Sequence, residues 1–200
     1  MIMLRDLLNR GVIAALLSLA WVGGEWSPCM AGEFGLEWVA IRGGMSGGSP
    51  IGEEQNFYFR QLDLAAKFRL PWEKEIGSDW VFGSKMLGSA GVLNGGNESN
   101  AVVTFLPLAF SLARKDNLLS LDVGGGGALL SDYKFGTQNF GGPFQFVWTF
   151  GVTSRLIGPL GLGYQFWHYS DATLYGQDSR GVDLHLFELI YWFGDKRQAE

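Results

Sequence analysis

A histidine, a serine and an aspartate lie close together near the end of the chain, and their types and spacing suit a hydrolase. The segment His168-Tyr169-Ser170-Asp171-Ala172 is followed, after a polar loop, by Gly181-Val182-Asp183. Side chains two residues apart on a strand share a face, with Cα atoms roughly 6.6–6.8 Å apart, so His168 could reach the Ser170 oxygen. A serine becomes an effective nucleophile when a base takes its proton and a carboxylate orients that base. Asp183 on the next antiparallel strand would complete this set.

The first 31 residues have the layout of a secretory signal peptide. A basic start precedes an apolar run from Gly11 to Val22, and small residues precede a cleavage position after Ala31. The apolar run is shorter than the about 20 residues that a membrane-spanning helix needs. We therefore predict a signal peptide over residues 1–31 and one domain over residues 32–200.

Composition excludes several functional classes. The only cysteine, Cys29, lies in the predicted signal peptide, so the mature chain would have neither a cysteine nucleophile nor a zinc-thiolate site. A net charge of −5 and two histidines give no basic footprint for nucleic acid. We predict no nucleic-acid partner, no metal and no organic cofactor.

The elements that must position these residues are predicted to be strands. Apolar segments alternate with clusters of glycine, asparagine and aspartate, and helical periodicity is hard to find. Eight strands are predicted, at residues 33–43, 56–70, 79–93, 100–113, 117–131, 142–155, 158–170 and 182–193. An even number suits a closed antiparallel barrel with both termini on one side.

The alternation within these strands indicates which face meets lipid. From Phe144 to Thr153 the even positions are Phe, Phe, Trp, Phe and Val, whereas the odd ones are small or polar. The narrow interior of an eight-stranded barrel could hardly hold such a row from every strand, whereas a lipid-facing wall could. Short connections (71–78, 114–116, 156–157) also alternate with longer ones (44–55, 94–99, 132–141, 171–181). The predicted fold is all-β, an eight-stranded antiparallel transmembrane β-barrel of outer-membrane type.

The same alternation places the candidate residues at the outer end of the lipid-facing wall. His168 and Ser170 share the outward face of one strand, and Asp183 and His185 share that of the next. We interpret His185 as a solvated or headgroup-level histidine rather than a second base or metal ligand. Glu188 should face inward and pair with an interior Arg or Lys. The alternative interpretation is that these residues are polar only because the strand ends leave the hydrocarbon there, without any catalytic role.

A set of short motifs lies between about Leu121 and Phe193, namely Asp122-Val123-Gly124-Gly125-Gly126-Gly127, Phe144-Gln145-Phe146, Gly161-Leu162-Gly163-Tyr164, His168-Tyr169-Ser170-Asp171-Ala172 and Gly181-Val182-Asp183. Through these motifs the second half of the chain resembles the lipid A 3-O-deacylase family, the outer-membrane acyloxyacyl hydrolases known as PagL. The resemblance implies a lipid-facing triad, with Ser170 as nucleophile, His168 as general base and then acid, and Asp183 orienting His168. Arg42, Lys134 and Arg180 become candidates for contacting lipid A phosphates.

Two positions depart from the family pattern. Asp171 stands where the family usually carries Asn, and Thr173 stands where a glycine is common. A carboxylate cannot donate a hydrogen bond to an oxyanion unless it is protonated. The Gln177 amide is the obvious substitute donor, and a backbone N–H near Ala172 is the second choice.

Together these observations predict an outer-membrane serine esterase that removes the 3-O-linked hydroxyacyl chain from the lipid A of lipopolysaccharide. Its partners would be this substrate and membrane lipid, and association of two barrels as a homodimer stays open. Two alternatives also remain open, a non-enzymatic small barrel acting as an adhesin or membrane-stability protein, and a soluble lipid-binding barrel with its bulky faces turned inward.

Overall fold

The computed structural model describes residues 33–47, 55, 57–176 and 179–193. The predicted signal peptide and Gln177 lie outside these residues. The strands are β1 (Gly35–Ser46), β2 (Arg60–Ile76), β3 (Trp80–Gly95), β4 (Glu98–Arg114), β5 (Ser120–Leu130), β6 (Lys134–Phe135), β7 (Gln138–Asn139), β8 (Phe144–Ile157), β9 (Leu160–Ser170) and β10 (Val182–Trp192). None of the described residues forms a helix long and apolar enough to cross a membrane.

Eight of these strands close into an antiparallel barrel. Their order is β1-β10-β9-β8-β5-β4-β3-β2, so each pairs with the next barrel strand along the chain, and the pairing of β1 with β10 closes the sheet. The two short strands β6 and β7 form a separate hairpin within the connection between β5 and β8. The predicted eight-stranded barrel is therefore confirmed.

Two predicted connections are wrong. Strand β2 continues through Pro71 to Ile76. The pairing with β3 is interrupted between Arg69 and Glu73, so the missing N–H of the proline costs no ladder hydrogen bond. At the other end of the barrel, β3 and β4 are joined by two residues only, Gly96 and Asn97, with φ of 56° and 67°. Positive φ at both positions is the geometry of a tight hairpin turn, so residues 94–99 are mostly strand and not a long loop.

The outward face is an apolar belt, as the alternation predicts. On β8, Phe146, Trp148 and Phe150 are 45%, 38% and 46% exposed, while the residue before each of them (Gln145, Val147 and Thr149) is buried. Similar outward-facing leucines, isoleucines and phenylalanines lie on the other strands of the barrel. A belt of this kind is typical of barrels that face lipid.

The barrel interior is polar and charged, and it contains Arg42. This side chain is fully buried, with Nε 2.6 Å and Nη2 2.9 Å from the two carboxylate oxygens of Asp63. The prediction that Arg42 contacts phosphates from an outer loop is wrong, because β1 turns its even positions inward here. Glu188 does face inward, and its Oε1 lies 3.7 Å from Arg42 Nη1, so its predicted pairing with an interior arginine is confirmed.

Aromatic side chains fill the outer mouth of the barrel. Phe59, Phe135 and Phe140 are fully buried, with ring centroids 5.1–5.7 Å apart. Phe135 and Phe140 come from the β6–β7 hairpin and the residue that follows it. This packing fixes the hairpin over the barrel, next to the loop that follows β9.

Candidate active site

His168 and Asp183 meet on the outer wall of the barrel. The two residues are direct partners in the antiparallel register of β9 and β10, which brings both side chains to the same face. His168 Nδ1 lies 2.5 Å from Asp183 Oδ1, and the side chains are 13% and 2% exposed. The carboxylate therefore contacts Nδ1 of the imidazole and leaves the other ring nitrogen, Nε2, available for a different partner.

Ser170 lies on the same outward face of β9 but makes a different contact. Its Oγ accepts a hydrogen bond of 3.0 Å from the Ala172 N–H. Although both residues are described, no hydrogen bond joins Ser170 to His168. The structure thus brings together two of the three predicted residues, and the third contact requires the Ser170 side chain to turn from Ala172 toward His168.

Asp171 organises the loop that begins immediately after Ser170. Its carboxylate accepts hydrogen bonds of 3.1 Å from the Thr173 and Tyr175 N–H groups and of 2.6 Å from the Ser179 hydroxyl. The side chain is only 6% exposed. Asp171 is therefore an acceptor here. The sequence contained a signal for this role, since an aspartate that accepts from the backbone N–H two residues later is a common turn motif.

The loop after β9 is docked on the neighbouring outer loop. The Gln138 side-chain amide donates to the Gly181 carbonyl over 3.0 Å, and the Arg180 N–H donates to the Asn139 carbonyl over 2.9 Å. The Tyr175 ring lies so close to Gly142 that a Cβ at that glycine would overlap it. Sequence reasoning missed these contacts, because they join segments whose relative position is set only when the barrel closes.

Trp148 is a further neighbour of the site that was not predicted. It is the register partner of His168 on β8, and the two ring centroids are 5.4 Å apart. Beneath them Phe166 faces outward yet is only 1% exposed, because the rings of Trp148, Phe150 and His185 pack around it. The imidazole of His168 therefore stands at the top of an aromatic patch.

The other singled-out polar residues are placed as follows. His185 Nδ1 lies 2.7 Å from the Tyr164 hydroxyl, so this histidine has a protein partner. Lys134 and Arg180 are exposed on the outer loops. Among the described residues there is no group of three or more His, Cys, Asp or Glu side chains arranged to hold a metal ion.

Comparison with known proteins bears directly on this site. The family model described as lipid A 3-O-deacylase (PagL) matches residues 60–192, which include the whole of β2 to β10. No curated protein sequence matches the chain. Among solved structures, the crystal structure of the outer membrane enzyme PagL aligns with a TM-score of 0.59 at 17% identity, covering 79% of this chain and 99% of that one.

A second solved structure is the Yersinia pestis outer membrane protein Ail in a phospholipid bilayer nanodisc, with a TM-score of 0.44, 13% identity, and coverage of 80% of this chain and 99% of that one. At 17% identity the match to the PagL structure supports the fold alone. The family match is longer than the stretch on which the sequence resemblance rests, since it begins at Arg60 and not near Leu121. It spans more than half of the chain, and the chain therefore belongs to the lipid A 3-O-deacylase (PagL) family.

Proposed function

We propose that this protein hydrolyses the ester that joins a 3-hydroxyacyl chain to the 3 position of lipid A, with Ser170, His168 and Asp183 as its catalytic residues. The observation that carries the residue assignment is the 2.5 Å contact between His168 and Asp183 on the outer wall, two residues along β9 from a serine on the same face. A Ser, His and carboxylate set of this kind is recognised by geometry and roles, independent of fold.

In the first half of the reaction Ser170 Oγ attacks the ester carbonyl carbon. His168 Nε2 takes the hydroxyl proton, and the Asp183 carboxylate stabilises the imidazolium through its contact with Nδ1. The tetrahedral intermediate then collapses, the bond to the sugar oxygen breaks, and His168 returns its proton to that oxygen. The products of this half are deacylated lipid A and an acyl ester on Ser170.

In the second half water replaces the sugar oxygen. His168 removes a proton from the water as its oxygen attacks the acyl carbon, and the proton then passes to Ser170 Oγ as the acyl bond breaks. A hydroxy fatty acid leaves, and the enzyme is restored. No step in this sequence requires a metal or an organic cofactor.

The position of the site on the barrel wall suits a substrate that is itself a membrane lipid. Lipid A would approach laterally, with its acyl chains against the aromatic patch below His168 and its headgroup beside the outer loops. Lys134 and Arg180, both exposed on those loops, are the cations that we assign to its phosphates. Arg42 is excluded from this role because it is buried inside the barrel.

The test is hydrolysis of purified lipid A in detergent by the refolded full chain, followed by mass spectrometry. The wild-type protein should release one hydroxyacyl chain, and Ser170→Ala and His168→Asn should each abolish that release. Ser131→Ala is a matched control, because Ser131 Oγ also accepts a backbone N–H, that of Ala101 at 2.9 Å, in another outer loop. All three variants should keep the heat-modifiable electrophoretic mobility of a folded barrel.

Two results would contradict the proposal in different ways. Unchanged lipid A with wild-type protein across several detergents and pH values would reject the activity. Full activity in Ser170→Ala would reject the assigned nucleophile and favour a role for the barrel that does not depend on the triad.

A further inference from the structure

The loop that follows Ser170 has a backbone conformation that its residues do not favour. Ala172 and Thr173 are both in the left-handed region, with φ of 50° and 68°. Glycine adopts such angles readily, whereas a β-branched residue such as threonine does so rarely. Two successive residues of this kind persist only where surrounding contacts hold them.

The Asp171 side chain supplies three of the contacts that hold this loop, and the Leu174 N–H adds a backbone hydrogen bond to the Asp171 carbonyl over 2.9 Å. Asp171 places one carboxylate oxygen 3.1 Å from the Thr173 nitrogen, and the other 3.1 Å from the Tyr175 nitrogen and 2.6 Å from Ser179 Oγ. Three donors thus converge on two acceptor oxygens, which a carboxylate supplies and an amide does not, since an amide has one acceptor and one donor atom. Asp171 is therefore matched to this loop as a side chain with two acceptor oxygens.

The turn that Asp171 holds determines where one backbone N–H points. The Ala172 N–H, which belongs to this turn, is directed at Ser170 Oγ, 3.0 Å away. When Oγ bonds to a carbonyl carbon, the developing oxyanion lies on an atom attached to that same carbon. A donor that already contacts Oγ is within reach of that position.

We propose that Asp171 is a positioning residue for ester hydrolysis, whose carboxylate holds the Ala172–Thr173 turn so that the Ala172 N–H can stabilise the oxyanion. This inference rests on the proposed function of Ser170 as nucleophile. Asp171, which stands where the family usually carries asparagine, is then an acceptor. The donor to the oxyanion is the backbone N–H of the adjacent Ala172. It also explains the resting contact of Ser170, because the N–H that holds Oγ in the free enzyme transfers to the oxyanion when substrate binds and releases Oγ to His168.

The decisive variant is Asp171→Asn, for which two roles of this position predict opposite results. If the side chain at 171 is needed as an acceptor, the amide nitrogen of asparagine faces either the Thr173 N–H or the Tyr175 N–H. Two donors then meet, and the turn loosens. We expect kcat for lipid A to fall about 10- to 100-fold, as for a displaced oxyanion donor, with KM changed by less than about twofold. If the position instead serves as an oxyanion donor, asparagine should leave kcat unchanged or raise it.

A matched control and a rescue separate positioning from folding. Asp132→Asn makes the same charge change in the neighbouring outer loop, where the Asp132 carboxylate likewise accepts the N–H two residues on, that of Lys134 at 3.1 Å. It should leave kcat unaltered. Adding Thr173→Gly to Asp171→Asn should restore kcat several-fold, because glycine keeps a positive φ without help from Asp171.

A fluorophosphonate that labels the active-site serine provides a second readout that does not depend on lipid A binding. Its rate of labelling should fall in Asp171→Asn in proportion to kcat and recover in the double variant, while the urea midpoint of the barrel stays unchanged. Wild-type kcat in Asp171→Asn, or no rescue by Thr173→Gly, would overturn the positioning role while leaving the proposed function intact. Activity in Ser170→Ala would overturn both.

Discussion

The buried charges around Arg42 give a quantitative prediction about barrel stability. The Arg42 guanidinium is fully buried between β1 and its two neighbours, with a two-point contact to Asp63 on β2 and a longer contact to Glu188 on β10. It also lies 4.3 Å from the centre of the Trp167 ring. We expect Asp63→Asn to leave this arginine with too little compensating negative charge.

The magnitude follows from the two distances. At an effective dielectric constant of about 20, unit charges 2.6–2.9 Å apart attract by roughly 6 kcal/mol, and charges 3.7 Å apart by roughly 4.5 kcal/mol. Asparagine avoids the desolvation of a buried carboxylate, which offsets part of the loss, and measured costs of breaking buried pairs are about 3–5 kcal/mol. We therefore expect Asp63→Asn to lower the free energy of unfolding by about 3 kcal/mol.

Equilibrium urea unfolding of the barrel in lipid vesicles measures this change. Glu188→Gln is the matched control and should cost less, because its carboxylate makes one long contact with Arg42. Replacing both members of the main pair, as in Arg42→Met with Asp63→Leu, should be less destabilising than Asp63→Asn alone, since no uncompensated charge stays behind. A loss below about 1 kcal/mol in Asp63→Asn would refute the reasoning. Lipid A hydrolysis by the folded variant should be unchanged, because this network lies on the inner side of the wall.

Three further changes test other parts of the molecule. Asp183→Asn should reduce kcat for release of the hydroxyacyl chain from lipid A by about 10⁴-fold, as in other triads whose aspartate is replaced, without loss of the folded barrel in electrophoresis. Gly126→Ala should lower the urea midpoint strongly because its Cβ would overlap the β4 backbone, whereas Gly125→Ala, whose nearest neighbour would be 3.8 Å away, should leave the midpoint near that of the wild-type protein. Gly142→Ala should displace the Tyr175 ring and reduce hydrolysis several-fold at unchanged barrel stability, which paired activity and urea measurements would reveal.

The outer wall could be predicted from sequence because it depends on a period of two and little else. Once Trp148 and its neighbours on β8 are assigned to lipid, each strand that shows the same alternation has a known outer face. It follows that His168, Ser170 and Asp183 face outward, and the structure agrees for all three.

The interior could not be predicted in the same way. Arg42 has the spacing of an inward residue, but a charged side chain inside a narrow barrel is acceptable only when opposite charges from adjacent strands reach it. Asp63 and Glu188 come from positions 21 and 146 residues further along the chain, and only the closed register brings them together. Without that register, a surface position near a loop is the simpler assignment for an arginine.

The loop after β9 shows a second limit of sequence reasoning. A family pattern with asparagine at position 171 suggests a donor, and the chemical difference between Asn and Asp then looks like a defect. In the structure the Asp171 carboxylate accepts from the Thr173 N–H, and the group that donates to Ser170 Oγ is the Ala172 backbone N–H. Residue type alone does not distinguish these two solutions, because both place a polar group beside Ser170.

Polar groups on a lipid-facing wall need partners within the protein, since hydrocarbon offers no hydrogen bonds. His168 with Asp183 and Tyr164 with His185 satisfy this requirement as cross-strand pairs of β9 and β10. Ser170 is the last residue of its strand, where loop backbone is available, and it takes a backbone N–H as its partner instead. The partner of His168 is its register partner on β10, whereas His185 contacts a diagonal neighbour and the partner of a polar residue at a strand end depends on loop conformation. This difference explains why the His168–Asp183 contact follows from the sequence and the resting contact of Ser170 does not.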